Sequence, residues 1–117
     1  MADPPQDPFW ATYEGIKEPN FTMMPNEISD VLMPRLSGSQ FKVVVFLARK
    51  TFGWQQPLTA ASISELATAT GQDRRSIMRA VDQLEAFGVI LVHREKLDTH
   101  SAAINLYALR MADPDKN

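Results

Sequence analysis

The residues of this 117-residue chain best suited to chemistry are cations. Arg74 and Arg75 stand together, Arg79 follows four residues after Arg75, and Arg94 and Lys96 lie further on among His93, Glu95, Asp98 and His100. Guanidinium groups one helical turn apart can clamp phosphates or pair with guanine O6 and N7. Gln72, Ser76 and Gln83 lie in the same stretch as shorter hydrogen-bonding groups. Catalysis finds no support. The two histidines are seven residues apart in one expected hairpin, with no carboxylate spacing that resembles a ligand set. No Gly-rich phosphate loop is present, and the serines and threonines are scattered where they suit helix caps. The expectation is a protein that is not an enzyme and needs no cofactor or metal.

Charge says where a polyanion could be met. The net charge of −2 gives no bulk attraction to nucleic acid. Residues 1–34 hold six acids and one lysine, whereas residues 35–110 hold ten Lys/Arg against six Asp/Glu. An acidic leader is thus attached to a basic body. Apolar residues make up 44%, ordinary for a globular fold, and 117 residues suit one domain. The longest uninterrupted apolar run, Val43 to Ala48, is far short of the roughly 20 residues that span a bilayer. With no cysteine and no basic-then-apolar leader, a cytoplasmic protein with no membrane partner is expected.

The elements that must position the arginines follow from caps and periodicity. Residues 1–20 carry four prolines and little pattern, so a flexible arm is expected. Its Phe9, Trp10 and Tyr13 are costly in water and are expected to dock on this domain or on a second copy. Asn26 suits the cap of a short helix from Glu27 to about Met33, ended by Pro34. Ser37-Gly-Ser-Gln40 has capping-box spacing and predicts a helix through Phe41, Val44, Val45, Ala48 and Phe52, with Gly53 as its stop. Phe46 and Leu47 make that helix apolar on more than one side, so it is expected to be central. Leu58 to Ala61 reads as a short extended segment. Ser62-Ile-Ser-Glu65 is a second capping box, for a helix to Thr70 with Ile63, Leu66 and Ala67 inward. Gly71 ends it. Asp73 caps the next helix, Arg74 to Phe87, whose inward set is Ile77, Ala80, Val81, Leu84 and Phe87. Val89 to Val92 and Ile104 to Leu109 then read as two strands joined by Arg94 to Ser101. Met23, Met24, Met33 and Met78 are expected to fill core rather than hold a cofactor.

Two helices joined by a short turn with glycine, here Thr70-Gly71-Gln72-Asp73, are the helix-turn-helix pattern. A hairpin straight after the second helix makes it a winged helix. The fold class expected is mainly α with a small β-hairpin. Stepping about 100° per residue places Arg75, Arg79 and Asp82 opposite the core, with Gln72, Ser76 and Gln83 on one flank and Arg74 on the other. Cations at a helix N-terminus and like charges at i,i+4 each cost a few tenths of a kcal/mol. Phosphates lining a groove would reverse both signs. If that helix enters a major groove, its first two turns reach the bases, and Asp82 limits entry to its N-terminal half. The bland alternative is a solvated face with Arg79 paired to Asp82 or Gln83. In the wing, Arg94 and Lys96 either touch phosphate or keep a mixed-charge loop soluble.

The stretches Phe21–Glu27, Leu36–Trp54, Ile63–Ala67 and Thr70-Gly71 resemble the N-terminal domain of phage replication protein O and of related mobile-element replication proteins. Arg49-Lys-Thr-Phe-Gly-Trp54 is the most specific block, and the likeness covers about residues 21–92. The resemblance implies a winged helix that binds origin repeats in double-stranded DNA, commonly as a dimer. It also implies a C-terminal region, outside this chain, that recruits the replication helicase or its loader. By position, Asp73–Phe87 is the second element of the helix-turn-helix, and Phe52 and Trp54 are expected to close the central helix against the core. The acidic, aromatic leader is not part of the resemblance, and its role stays open.

The expected organisation is an acidic and aromatic arm over residues 1–20, a DNA-binding winged helix over 21–110 and a tail over 111–117. Gln72, Arg74, Arg75, Ser76, Arg79, Gln83, Arg94 and Lys96 are the expected DNA contacts. The function expected is sequence-specific double-stranded DNA binding at a phage or plasmid replication origin. A transcriptional regulator on the same fold, or a protein-interaction module that keeps the scaffold without DNA, stays open. A homodimer is expected from the exposed aromatics of the arm and the two-sided apolarity of the Gln40–Phe52 helix.

Overall fold

Ser37 starts the central helix with a reciprocal cap. Its Oγ accepts the Gln40 N–H at 3.1 Å, and Gln40 Oε1 accepts the Ser37 N–H at 3.0 Å. Two donors that helix geometry leaves unpaired are thereby satisfied. In the computed structural model, which describes residues 7–18, 20–95 and 104–113, helix α1 then runs from Gly38 to Thr51. Val43, Val44, Leu47 and Ala48 of α1 are fully buried. Of the expected stripe, Val44 and Ala48 are thus core, whereas Phe41, Val45 and Phe52 are only half-buried, so the core face is rotated toward Gln40, Val43 and Leu47.

Gly53 does not stop α1. The helix tightens into a 3₁₀ turn, Phe52–Trp54, and the chain reverses at Gln55, which takes the left-handed conformation with φ +53°. Gly53 serves close approach instead: a Cβ there would press on the Arg49 guanidinium and would lie 3.1 Å from Thr22 Oγ1. Phe52 packs on the core, but Trp54 is 59% exposed, with the Arg49 guanidinium 5.6 Å from its ring centre. Trp54 therefore does not close α1 against the core.

Strand β1 (Thr59–Ser62) leads into helix α2 (Ile63–Thr70), capped by Ser62 Oγ accepting the Glu65 N–H at 3.0 Å. Helix α3 (Arg74–Phe87) follows after the three residues Gly71, Gln72 and Asp73, and strands β2 (Ile90–Arg94) and β3 (Ile104–Leu109) complete the fold. The three strands form an antiparallel sheet in the order β1-β3-β2, with Thr59 opposite Tyr107 and Ile90 opposite Leu109. The short segment before α2 is thus the third strand of the sheet. Sheet and helices share one core of Leu47, Leu66, Ile77, Leu84, Ile90 and Tyr107. Burial pushes the Tyr107 phenol pKa up, while a hydrogen bond to its hydroxyl from Asn105 Nδ2 at 3.1 Å works the other way.

Other expectations are corrected. Phe87 is 61% exposed, because it lies about 70° off the centre of the α3 core stripe. Met23, Met33 and Met78 are also exposed, and of that set only Met24 packs on the core. The short helix before α1 is a π-turn, Ile28–Leu32, closed by Met33 N–H to Ile28 carbonyl, and no side chain caps it. Its start is held through the Asn26 carbonyl, which accepts from Ser29 and Asp30. The arm contains a 3₁₀ turn, Pro8–Ala11, whose Phe9 N–H donates to Asp7 Oδ1 at 2.9 Å. Its aromatics pack on each other rather than on the body.

Candidate nucleic-acid interface

The turn before α3 is built from short-range hydrogen bonds. Thr70 Oγ1 donates to the Leu66 carbonyl at 2.6 Å, and Gly71 takes φ +69°, the left-handed region that suits glycine. The Gln72 N–H donates to the Ala67 carbonyl at 3.0 Å. Asp73 is then extended and accepts the Ser76 N–H at 2.7 Å. The hydrogen bonds from Ser76, helped by the nearby Arg75 charge, hold the Asp73 carboxyl below its ordinary value. Arg74 Nη1 donates to Ser64 Oγ at 2.5 Å and ties the start of α3 to α2.

With α3 aimed by that turn and its other face buried, Arg75 and Arg79 point out. Both are exposed, and among the described residues neither forms an ion pair. The acid expected to compete for Arg79 is occupied elsewhere. Arg94, at the end of β2, donates to Asp82 at 3.3 Å and to Glu85 at 3.0 and 3.2 Å. Those carboxylates raise the Arg94 pKa, the Glu85 hydrogen bond first. One guanidinium from the sheet thus offsets part of the negative charge that Asp82 and Glu85 place on α3.

Several expected contacts are placed in other roles. Gln83 Oε1 accepts from Gln40 Nε2 at 2.8 Å and joins α3 to α1. Gln72 Nε2 donates to the Ser39 carbonyl at a long 3.5 Å. Ser76 stands beside the Asp73 cap, and Lys96 lies outside the described residues. Arg75 and Arg79 form no ion pair among the described residues, Ser76 is engaged at the Asp73 cap, and Arg74, Gln83 and Arg94 are used within the fold.

Sequence reasoning missed one neighbour. Ser37, Ser39 and Gln40 at the start of α1 share an open hollow of about 310 Å³ with Ser76, Arg79, Ala80 and Gln83. The capping-box serines were visible, but not which helix they would face. The described helices include none long and apolar enough to cross a membrane, and the described residues include no cluster of metal-ligating side chains.

A family model for bacteriophage replication protein O matches residues 17–106. The chain belongs to that family. In this replication protein O family member the match extends beyond residues 21–92, taking in the end of the arm and the start of β3. A part in phage replication goes with that membership. Comparison with curated proteins and with solved structures returns no match.

Proposed function

We propose that the chain is a winged-helix domain that recognises double-stranded DNA at a replication origin, in the initiation of phage replication. In this reading α2, the Gly71 turn and α3 form the helix-turn-helix, and β2 and β3 carry the wing. The single observation that carries it is the exposed couple Arg75 and Arg79 on α3, without an ion pair among the described residues, beside two acids whose charge Arg94 partly offsets. A cation couple at a helix N-terminus gains nothing from the macrodipole, whereas phosphates would stabilise it. Arg75 and Arg79 read guanine or clamp phosphate, and Ser76 is a shorter reader. No catalytic step and no cofactor belong to this role. The replication helicase or its loader is a further partner in this role, in the cytoplasm of the bacterial host.

Binding to random duplex DNA across a salt series tests the reading. Affinity should fall with a log–log slope of about −0.9 per phosphate neutralised. Selection from a random duplex pool should then return one motif, repeated at an origin. Absence of binding at low salt sinks the proposal and favours the interaction module, which the exposed aromatic arm otherwise supports.

A further inference from the structure

Helix α1 is apolar on a second side, away from the core. Phe41, Val45 and Phe46 lie half-buried there. With Ala69 and Thr70 of α2, and with Ser64, Glu65 and Thr68 further along, they line two adjoining hollows of about 420 and 440 Å³ that share Phe46 and Ala69. Each falls in the size range of sites that take a bulky apolar group, about 300–1,000 Å³. Lys42 and Lys50 stand on the α1 rim, with Lys50 Nζ 5.8 Å from the Phe46 ring centre. Among the described residues neither lysine forms an ion pair. Glu65, on the α2 rim, is the acid that lines the same groove.

The arm carries the complement. Phe9, Trp10 and Tyr13 are 56%, 50% and 47% exposed. Phe9 stacks on Tyr13 at 5.5 Å, with Trp10 edge-on to both. Such a cluster left in water is a contact surface waiting for an apolar partner. Asp7 lies before the rings and Glu14 and Glu18 after them, as Lys42 and Lys50 flank the groove. Within one chain the rings stack on themselves, and no arm residue lines the groove.

We propose that the groove between α1 and α2 receives the Phe9–Trp10–Tyr13 cluster of a second copy of this chain, with Lys42 and Lys50 meeting the acids that flank the rings. Reciprocal exchange closes a two-fold dimer and uses up both apolar surfaces. The α1 rim meets the acids because Glu65 makes the α2 rim repel them. No residue of α3 lines the groove, so the inference stands apart from the DNA reading.

Sedimentation equilibrium of the full chain tests it beside three full-length variants, each checked for folding by circular dichroism. One carries Phe9→Ser, Trp10→Ser and Tyr13→Ser; a second carries Lys42→Glu and Lys50→Glu; a third adds Glu14→Lys and Glu18→Lys to the second. The expected result is a dimer whose dissociation constant rises at least about tenfold in the first two variants and recovers in the third. A dimer untouched by the ring and lysine substitutions overturns the proposal, because another face then makes the contact. A monomer at every concentration also overturns it. In that case, shielding of Trp10 from a soluble quencher, measured in a Trp54→Phe background, identifies the arm as docked on its own groove. Duplex binding by the same variants reads the DNA proposal separately, since a dimer that binds no DNA fails that reading alone.

Discussion

Arg94 holds Glu85 across the junction of sheet and helix through two hydrogen bonds, at 3.0 and 3.2 Å. The same guanidinium reaches Asp82 at 3.3 Å, so one strand residue contacts both of these acids on α3. Arg94, one of the expected phosphate contacts, is engaged within the fold beside the face proposed to meet DNA.

Arg94→Ala should therefore weaken duplex binding at low salt by exposing Asp82 and Glu85, with the loss shrinking as salt rises. The pair is partly exposed, so stability should fall by less than about 1 kcal/mol. Anisotropy titrations at two salt concentrations, with thermal melts alongside, check both parts.

Arg75→Glu combined with Arg79→Glu should abolish duplex binding and leave stability within about 0.5 kcal/mol of the parent. Both side chains are exposed and without an ion pair among the described residues, so folding loses little beyond the weak Arg75–Asp73 attraction. A double variant that still binds moves the interface elsewhere.

Gln83→Ala should act on the fold. It leaves the buried Gln40 amide without its 2.8 Å partner, at a cost of about 1–2 kcal/mol in chemical denaturation. The sequence motif selected by the protein should not change.

Gly71→Ala puts a side chain on a residue at φ +69°, which costs about 1–2 kcal/mol although no atom crowds the site. The melting temperature should fall. Gly38→Ala, also in open space but without a positive φ, is the control that should not share that loss.

Asp73 sets a pH dependence. Its carboxyl is held below the ordinary value of 3.8, so the stability it adds is complete above that value and drains away as pH falls through the lower folded value. Asp73→Asn keeps an accepting oxygen but does not titrate. The gap in melting temperature between parent and variant should narrow as pH drops below about 4.

Much of the fold was legible before any coordinates. Ser37, Ser62 and Asp73 announced three helix starts, and each cap is made within three residues of itself. Gly71 marked a helix end, because a left-handed residue is a local demand. Gly53 misled, since its lack of a side chain answers to Thr22 and Arg49 rather than to its own φ. Phe87 and Trp54 misled because apolar type says nothing about whether a partner stands opposite.

The candidate site divides the same way. Periodicity alone set Arg75 and Arg79 opposite the core stripe of α3, since 3.6 residues per turn and four buried positions fix a helix face. The amino-acid string could not assign the partners of Gln83 and Arg94. Gln83 is held by a residue 43 positions away, and Arg94 by a helix that a glycine turn folds against its strand. Which carboxylate meets which guanidinium depends on how sheet and helices pack. Caps and turns are settled over three or four residues, whereas charge pairing is settled only once the core has closed.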